Sequence, residues 1–305
     1  MSIVRTTYAD LPGALVDELA HAGLDPEDVY GMVVRAFDED LPDGARDVTS
    51  GAMPPMGAGV AEIGARESGV VAGLAVAELV FVYAIGADVE VTERIPDGTH
   101  VEAGDVVMRV GGRVQDLLTA ERTALNFASH LSGVATATSR WVEALAGTGA
   151  QVLDTRKTLP TYRALQKYAV RCGGGVNHRF SLSDRALVKD NHVVAAGGVV
   201  PAYELVRAAN PGLRVEVEVT DLDQLRDLLA VGCTEILLDN MDTTTMAEAV
   251  LLVERLGEAG RATLEASGGL TLEQAREVAE TGVDLISVGA LTNSVKVFDL
   301  GLDLR

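Results

Sequence analysis

The second half of the chain repeats one unit, in which a short apolar segment is followed by polar residues or glycine and then by a segment with helical periodicity. Strands that alternate with helices in this way predict a parallel sheet, because a parallel connection needs a crossover that a helix supplies. The predicted strands are Val152–Asp154, Ala186–Lys189, Val215–Val219, Glu235–Asp239, Thr263–Ala266 and Leu285–Val288. Six or seven such strands predict an α/β barrel that falls short of the usual eight.

The first 115 residues have a mixed pattern. The predicted elements are two short amphipathic helices, around Leu15–Ala22 and Glu27–Ala36, and strands near Leu79–Ile85, Asp88–Glu93 and Asp105–Val110. Helical periodicity then extends from Gln115 to Ala146, with a break predicted at Ser132 and Gly133 because glycine interrupts helices. An α/β domain therefore precedes the barrel.

Bulk properties exclude several classes of protein. The 305-residue chain is 48% hydrophobic, which suffices for a full core, and its two cysteines, Cys172 and Cys233, are too few for a disulfide framework. The start, MSIVRTTYADL, has no basic stretch followed by an apolar run, so a cytoplasmic protein is expected. Gly69–Gly86 is almost entirely apolar, but Glu78 interrupts it, so a buried helix and strand are predicted there and no membrane span.

Positive charge is concentrated in one stretch of an acidic chain. The formal net charge is −20, yet residues 154–192 carry eight Lys or Arg against three Asp. Such a cluster predicts a pocket for a small polyanion, because the surrounding negative field would repel nucleic acid or an anionic membrane. For Arg163, Lys167 and Arg171, whose spacing is helical, an exposed basic helix face is a simple alternative.

The carboxyl ends of the predicted strands are all polar or glycine. In α/β barrels the active site lies at that end, so this regularity predicts an enzyme. The residues at these ends are Asp154-Thr155-Arg156-Lys157, Lys189-Asp190-Asn191-His192, Glu218, Asp239-Asn240, Ser267-Gly268-Gly269 and Gly289. The cations suit carboxylates or phosphates, and the glycines after the last two strands suit a phosphate that is held by backbone N–H groups.

The segment RVEVEV, residues 214–219, alternates charged and apolar residues. Alternation directs Arg214, Glu216 and Glu218 to one face of the strand, which here is the barrel interior. Buried charges need partners, so a salt bridge between Arg214 and Glu216 is predicted. Glu218, nearer the mouth, and Asp239 on the next strand are predicted to ligate Mg²⁺, which binds through few carboxylates and substrate phosphates.

Several longer runs together resemble one family, the quinolinate phosphoribosyltransferases, also called nicotinate-nucleotide pyrophosphorylases (carboxylating). The runs are ERTALNFASHLSGVAT (121–136), DTRKTLPTYRALQKYAVRCGGGVNHRFSLSDRALVKDNH (154–192), EVEV (216–219), LLDNM (237–241), EASGGL (265–270) and ISVGALT (286–292). The resemblance implies an α/β sandwich domain over residues 1–115 and an incomplete, seven-stranded α/β barrel over residues 116–290. Residues 291–305 would return to the N-terminal domain, and the protein would be at least a homodimer.

The implied reaction joins quinolinate to phosphoribosyl pyrophosphate with Mg²⁺ and gives nicotinate mononucleotide, pyrophosphate and CO₂ for NAD synthesis. The resemblance implies that Glu218 and Asp239 serve the ribose and the metal. It also implies a dicarboxylate clamp of Arg122, Arg156, His178, Arg179 and Lys189, with Lys157 between the two substrates, and a 5′-phosphate site at Ser267, Gly268, Gly269 and Gly289. Arg122 would enter the neighbouring subunit's site. Asn293 departs from the pattern, since relatives commonly carry histidine nearby.

Three other interpretations stay open from sequence. Lys189 stands at a barrel strand end, where a lysine can form a Schiff base in an aldolase. A paralogous phosphoribosyltransferase could act on another pyridine acid, or a relative could keep the fold and bind a ligand without catalysis. Retention of every charged clamp position argues against the non-catalytic relative, whereas a paralogue for another pyridine acid stays open.

Overall fold

The computed structural model describes residues 3–256 and 262–305. The chain divides into two compact units. The first unit contains Met1–Ala137, Ala164–Gly174 and Val295–Arg305, and the second contains Thr138–Arg163 and Gly175–Ser294.

Helices and strands account for most of both units. The helices are α1 (Gly13–His21), α2 (Pro26–Asp40), α3 (Leu74–Ile85), α4 (Val114–Ala144), α5 (Arg163–Cys172), α6 (Asp190–Ala196), α7 (Val199–Ala209), α8 (Leu222–Ala230), α9 (Thr243–Leu256), α10 (Ala275–Glu280) and α11 (Ala290–Asn293). The strands are β1 (Ala58–Ala65), β2 (Gly69–Val70), β3 (Glu90–Arg94), β4 (His100–Val101), β5 (Val106–Arg113), β6 (Gln151–Leu153), β7 (Ala186–Val188), β8 (Val215–Val219), β9 (Glu235–Asp239), β10 (Thr263–Ser267), β11 (Leu285–Ser287) and β12 (Leu300–Leu304).

The first unit contains a four-stranded antiparallel sheet in the order β12-β1-β5-β3. Alternation along β1 buries Ala61, Ile63 and Ala65 on one face, as expected for a sheet with one covered side. Glu62 points the other way and pairs with Arg109 on β5 at 2.8 Å and with Arg305 beyond β12 at 2.6 Å. The C-terminal strand is therefore held by backbone pairing and by charge.

The prediction of a strand at Leu79–Ile85 is wrong, because these residues belong to α3. All of α3 is buried except Glu78, which pairs with Arg94 at 2.7 Å. A helix that is buried on all sides shows no 3.6-residue periodicity, so its sequence resembles a buried strand. Asp97, which lies outside α3, accepts hydrogen bonds from the backbone N–H groups of Gly73 and Leu74 and so caps the N-terminus of this helix.

No helix among the described residues is long and apolar enough to cross a membrane.

The predicted break in α4 at Ser132 and Gly133 is also wrong, since the helix continues for 31 residues. The Ser132 hydroxyl accepts a hydrogen bond from the N–H of Ala72 at 3.0 Å. A Cβ on Gly133 would lie 2.3 Å from the carbonyl oxygen of Lys296. Serine and glycine thus allow close packing on two sides of the helix, and they do not interrupt it.

The second unit contains a parallel sheet in the order β6-β11-β10-β9-β8-β7. The six predicted strands are confirmed, and β8 and β9 match their predicted bounds. A single parallel bridge, Leu153 to Val176, stands where a seventh strand would lie beside β6. Among the described residues no pairing joins Val176 to β7, so the barrel is incomplete at that point.

Candidate active site

A cavity of about 300 Å³ opens at the carboxyl ends of the barrel strands. Its lining comes from the ends of β7, β9, β10 and β11 and from the loops that follow β6 and precede β7. The lining residues are Thr155, Arg156, Lys157, His178, Arg179, Leu187, Lys189, Leu237, Glu265, Ser267 and Ser287. Four of them, Arg156, Lys157, Arg179 and Lys189, are cations and are called the cavity cations below.

Hydrogen bonds hold two of the loops that carry these cations, and Asp154, which directly follows β6, holds one of them. Its buried carboxylate accepts hydrogen bonds from Asn177 Nδ2 at 2.6 Å and from the N–H of His178 at 2.9 Å. On the other loop, Thr155 Oγ1 accepts from the N–H of Lys157 at 3.0 Å, and Thr292 Oγ1 donates to the Lys157 carbonyl at 2.8 Å. The backbone beneath the cations is therefore fixed before any ligand binds.

Three of the cavity cations have no acidic partner. No carboxylate among the described residues lies within salt-bridge distance of Arg156, Lys157 or Arg179. The Nε atoms of Arg156 and Arg179 are buried and have no hydrogen-bond partner. Burial lowers the pKa of Arg179, and the positive charge of Arg156 lowers it further. Like charges with unsatisfied donors favour an anionic ligand, which would satisfy both.

Lys189 differs from the other cavity cations because its Nζ lies 3.0 Å from Glu218 Oε2. Glu218 and Asp239 end or nearly end the adjacent strands β8 and β9. Asp239 accepts a hydrogen bond from Asn240 Nδ2 at 2.8 Å. Carboxylates on neighbouring strand ends are the kind of oxygen ligand that Mg²⁺ accepts when substrate oxygens supply the rest.

Both ring nitrogens of His178 are engaged by the protein. Nδ1 accepts a hydrogen bond from the N–H of Arg179 at 2.7 Å, so Nε2 carries the hydrogen. Nε2 lies 3.0 Å from Glu216 Oε2 and 3.4 Å from Glu265 Oε2. His178 thus lines the cavity in a fixed orientation, with its hydrogen directed towards two carboxyl groups.

Beneath the cavity, Arg185, Arg214, Glu216 and Glu235 form a group called the inner ion network. Arg185 Nη2 lies 3.2 Å from Glu216 Oε1 and 2.6 Å from Glu235 Oε2. Arg214 Nε lies 2.5 Å from Glu235 Oε1, so the predicted salt bridge between Arg214 and Glu216 is wrong. Residues two apart on one strand are about 6.6 Å apart along it, whereas residues on adjacent strands come closer, and Arg214 therefore pairs across to β9.

The glycines after β10 and β11 lie where neighbouring side chains or the backbone conformation leave little room for a Cβ atom. Gly268 has a φ of 114°, and a Cβ there would lie 2.4 Å from Asn240 Oδ1. Gly269 follows with a φ of 59°. A Cβ on Gly289 would lie 3.0 Å from the Lys157 side chain. Ser267 lines the cavity directly, and these three glycines continue the backbone at the same end of the sheet.

Two other predicted features, Arg122 and Asn293, do not line the cavity, although a Cβ on Gly289 would lie 3.5 Å from Asn293 Nδ2. Arg122 stands on α4 in the first unit, 67% exposed and 3.9 Å from Glu121. Asn293 ends α11, and its Oδ1 accepts a hydrogen bond from Ser294 Oγ at 2.7 Å. The alternative of an exposed basic helix face is wrong for Lys167, which is only 1% exposed.

The two arginines of α5, Arg163 and Arg171, donate hydrogen bonds to backbone carbonyl groups. Arg163 donates to the carbonyl of Phe180 at 3.0 Å, and Arg171 donates to the carbonyl of Ala22. Their role in the structure is therefore to fix neighbouring loops.

Sequence reasoning missed five residues that line the cavity: Thr155, Leu187, Leu237, Glu265 and Ser287. A signal for Glu265 was present, because strand alternation places it on the same face as Ser267. The same rule, applied to RVEVEV, had directed Glu216 and Glu218 inward. Leu187 and Leu237 carry no chemical signal in the sequence, since apolar residues are common on both faces of parallel strands.

Comparisons with known proteins agree with one another. The domain models described as quinolinate phosphoribosyl transferase, N-terminal and C-terminal, match residues 47–132 and 134–303. A Mycobacterium leprae protein named nicotinate-nucleotide pyrophosphorylase (carboxylating) is 51% identical over 272 residues, which cover 88% of this chain and 95% of the relative.

Solved structures extend the similarity to the fold. The nicotinate-nucleotide pyrophosphorylase of Francisella tularensis has a TM-score of 0.85 and 36% identity, covering 92% of this chain and 96% of its own. The protein of the same name from Ehrlichia chaffeensis has a TM-score of 0.84 and 33% identity, covering 90% and 98%. These structures confirm the fold class, an α/β sandwich domain with an incomplete α/β barrel.

Proposed function

The chain belongs to the quinolinate phosphoribosyl transferase family, and from that membership we propose that it makes nicotinate mononucleotide. Its substrates are quinolinate and phosphoribosyl pyrophosphate, and its other products are pyrophosphate and CO₂. The reaction is the step of de novo NAD biosynthesis that first forms the nucleotide.

The observation that carries this proposal is the set of cavity cations. In the part of the chain that the structure describes, Arg156 and Arg179 present buried N–H donors without partners, and Lys157 adds a third charge without an acidic neighbour. Quinolinate is a small, flat dianion, whose two adjacent carboxylates can accept several charge-assisted hydrogen bonds at once. A cavity of about 300 Å³ also has the size of a small-molecule site.

The second substrate is proposed to bind beside the first, at the same end of the barrel. Ser267, Gly268, Gly269 and Gly289 would hold the 5′-phosphate through backbone N–H groups. Glu218 and Asp239 would hold Mg²⁺ with pyrophosphate oxygens, and Lys189 would then leave Glu218 and turn to a substrate carboxylate. When bound, Mg²⁺ supplies positive charge to the leaving pyrophosphate.

The chemistry follows from this arrangement. Loss of pyrophosphate gives the anomeric carbon oxocarbenium character, which the carboxylate of Glu218 stabilises electrostatically. The cavity cations orient quinolinate so that its ring nitrogen faces that carbon, and Lys157 lies where it can contact both substrates. The pyridinium that results draws electrons from the adjacent C–C bond, and the C2 carboxylate leaves as CO₂. No covalent bond to the enzyme is needed.

The direct test is an assay of purified protein with quinolinate, phosphoribosyl pyrophosphate and Mg²⁺, in which nicotinate mononucleotide and pyrophosphate are quantified. We expect equal amounts of both products and dependence on all three components. If nicotinate replaces quinolinate with equal efficiency, the dicarboxylate clamp is wrong and another pyridine acid is the substrate.

The ion pair between Lys189 and Glu218 argues against the aldolase alternative. A Schiff base requires an amine that is free to attack a carbonyl carbon, whereas Lys189 Nζ is engaged by a carboxylate oxygen of Glu218 at 3.0 Å. Borohydride trapping with carbonyl substrates is therefore expected to label nothing at Lys189.

The cytoplasmic location of the protein stays a prediction.

We also propose a homodimer in which Arg122 completes the partner's clamp, as the family resemblance implies. The Arg122 side chain is 67% exposed, and its one acidic partner among the described residues is Glu121 at 3.9 Å, which supports such a role. The Arg122→Ala and Lys189→Ala variants are each expected to be nearly inactive. After random reassembly, about half the dimers are mixed, and one site in each is intact, so roughly a quarter of wild-type activity should return. Confirmed subunit exchange without recovery would place Arg122 outside the partner's site.

A further inference from the structure

Glu265 is a buried carboxyl group whose position in the cavity has no assigned purpose. It lies on β10, lines the cavity and is only 1% exposed. Neither of its carboxyl oxygens has a hydrogen-bond partner of normal geometry among the described residues. Buried polar atoms are nearly always satisfied, so an unsatisfied pair in a ligand cavity indicates a group that acts on the ligand.

A second carboxyl group, Glu216, lies beside Glu265 but in a different electrostatic environment. Oxygen atoms of both groups and Nε2 of His178 lie within 4.8 Å of one another. Burial acts to raise the pKa of Glu216, but the hydrogen bond with His178 and the charge of Arg185 hold that pKa below its usual value. Glu216 thus has two partners that compensate its charge, His178 at 3.0 Å and Arg185 at 3.2 Å.

For Glu265 the balance is the opposite. Burial raises the pKa of Glu265 well above its usual value, and the negative charge of Glu216 raises it further, against weaker lowering by Ser287 and Arg185. Glu265 therefore holds its proton more tightly than an ordinary glutamate does. Neighbouring carboxyl groups whose pKa values are driven apart are the usual form of an acid paired with an electrostatic partner.

We propose that Glu265 is the acid that protonates C2 of the pyridine ring after CO₂ has left. This role rests on the proposed function and supplies the proton that the reaction consumes at carbon. The C2–carboxylate bond breaks, its electron pair stays on C2 beside the positive ring nitrogen, and CO₂ departs. The O–H bond of Glu265 then breaks, a C2–H bond forms, and Glu265 becomes a carboxylate that solvent reprotonates between turnovers.

The surroundings of Glu265 suit this step. Nε2 of His178 lies 3.4 Å from Glu265 Oε2, so its hydrogen faces the carboxylate that would form. The same three side chains also have the spacing of a metal site. However, Arg185 Nη2 already lies 3.2 Å from Glu216 and supplies the positive charge there, so a proton and not a metal ion fits at Glu265.

The test compares wild type with Glu265→Gln, which keeps the shape and removes the acid, and with Glu265→Asp, which keeps the acid. Glu277→Gln on the exposed surface of α10 is the matched control and should retain wild-type activity. Turnover is measured together with the deuterium content at C2 of the product formed in equal volumes of H₂O and D₂O. Quinolinate affinity and melting temperature report on binding and folding.

We expect Glu265→Gln to lower kcat about 100-fold, with quinolinate affinity within about threefold of wild type. The deuterium fraction at C2 should change, because water replaces the carboxylic acid as donor, and Glu265→Asp should recover at least about a tenth of wild-type kcat. A kcat for Glu265→Gln within about threefold of wild type would overturn the proposal. So would a reduced kcat with the wild-type deuterium fraction, or a stoichiometric bound metal that is lost in this variant.

The proposed function and the proton donor can fail separately. If wild type makes no nicotinate mononucleotide, the proposed function fails. If wild type makes it and Glu265→Gln makes it equally fast, only the assignment of Glu265 fails.

Discussion

The cavity cations and the inner ion network are built from the same residue types but differ in how charge is compensated. In the network, Arg185 reaches two carboxylates, Glu216 and Glu235, within 3.2 Å. In the cavity, Arg156 and Arg179 have no carboxylate within salt-bridge distance among the described residues. Paired buried charges maintain the structure, whereas unpaired ones maintain a site for a ligand of opposite charge.

The largest expected effect is on stability, at Arg185. Arg185→Met should lower the free energy of unfolding by about 3 kcal/mol, because it leaves Glu216 with only His178 and Glu235 with only Arg214 as partners among the described residues. Arg179→Met should lower it by about 1 kcal/mol or less, since only a hydrogen bond to the Arg185 carbonyl at 3.1 Å is lost. Urea unfolding followed by circular dichroism measures both. Equal losses would remove the distinction between the two regions.

The next effect is on catalysis, at Lys189. Lys189→Ala should cost about 2–4 kcal/mol in transition-state stabilisation, measured from kcat/KM, with little change in melting temperature. Lys296→Ala is the matched control, because Lys296 is an exposed lysine that pairs with Glu67 at 2.8 Å. A large fall in melting temperature with normal kcat/KM would instead make Lys189 a structural partner of Glu218.

A smaller effect is expected for the metal. Asp239→Asn should raise the Mg²⁺ concentration needed for half-maximal activity about tenfold, which corresponds to about 1.4 kcal/mol, and leave quinolinate affinity nearly unchanged. Glu218→Gln should also weaken the use of Mg²⁺ and phosphoribosyl pyrophosphate while leaving quinolinate binding nearly intact. Chelation of Mg²⁺ should abolish activity in wild type. Calorimetry separates the two ligands, and equal loss of quinolinate affinity in both variants would contradict this division of roles.

The smallest effect concerns pH. The pKa of Glu265 is higher in the folded protein than in the unfolded chain, so the folded state holds this proton more tightly. The resulting stability is complete below the ordinary glutamate pKa and is lost as pH rises through the folded-state pKa. The groups that face Glu265 are His178, Glu216 and Arg185. Unfolding of wild type and Glu265→Gln across neutral pH should diverge as pH rises, and parallel curves would show that Glu265 is ionised when folded.

Much of the barrel followed from sequence because its signals are local. Each of the predicted strands was bounded by turn residues, and Glu235–Asp239 matched in full. The helix α3 was predicted as a strand, because burial on every side removes the periodicity that distinguishes a helix from a strand. The helix break predicted at Gly133 in α4 was wrong. This glycine is needed because the Lys296 carbonyl packs against it, and Lys296 lies 163 residues further along the chain.

The site was predictable to a similar degree and for similar reasons. Arg156, Lys157, His178, Arg179, Lys189 and Ser267 were predicted from sequence, and all six line the cavity. The pairing of Arg214 with Glu235 could not be predicted, because it depends on which strands are neighbours. The raised pKa of Glu265 depends on burial and on Glu216, and neither is encoded in the residues adjacent to it.

The central claim is that the uncompensated cavity cations bind a dicarboxylate. Calorimetric titration of the wild-type protein with quinolinate and with nicotinate, at the same pH and ionic strength, tests it most directly. The second carboxylate should form charge-assisted hydrogen bonds worth about 3 kcal/mol, so quinolinate should bind about 100-fold more tightly than nicotinate. Equal affinity for the two acids would contradict the account.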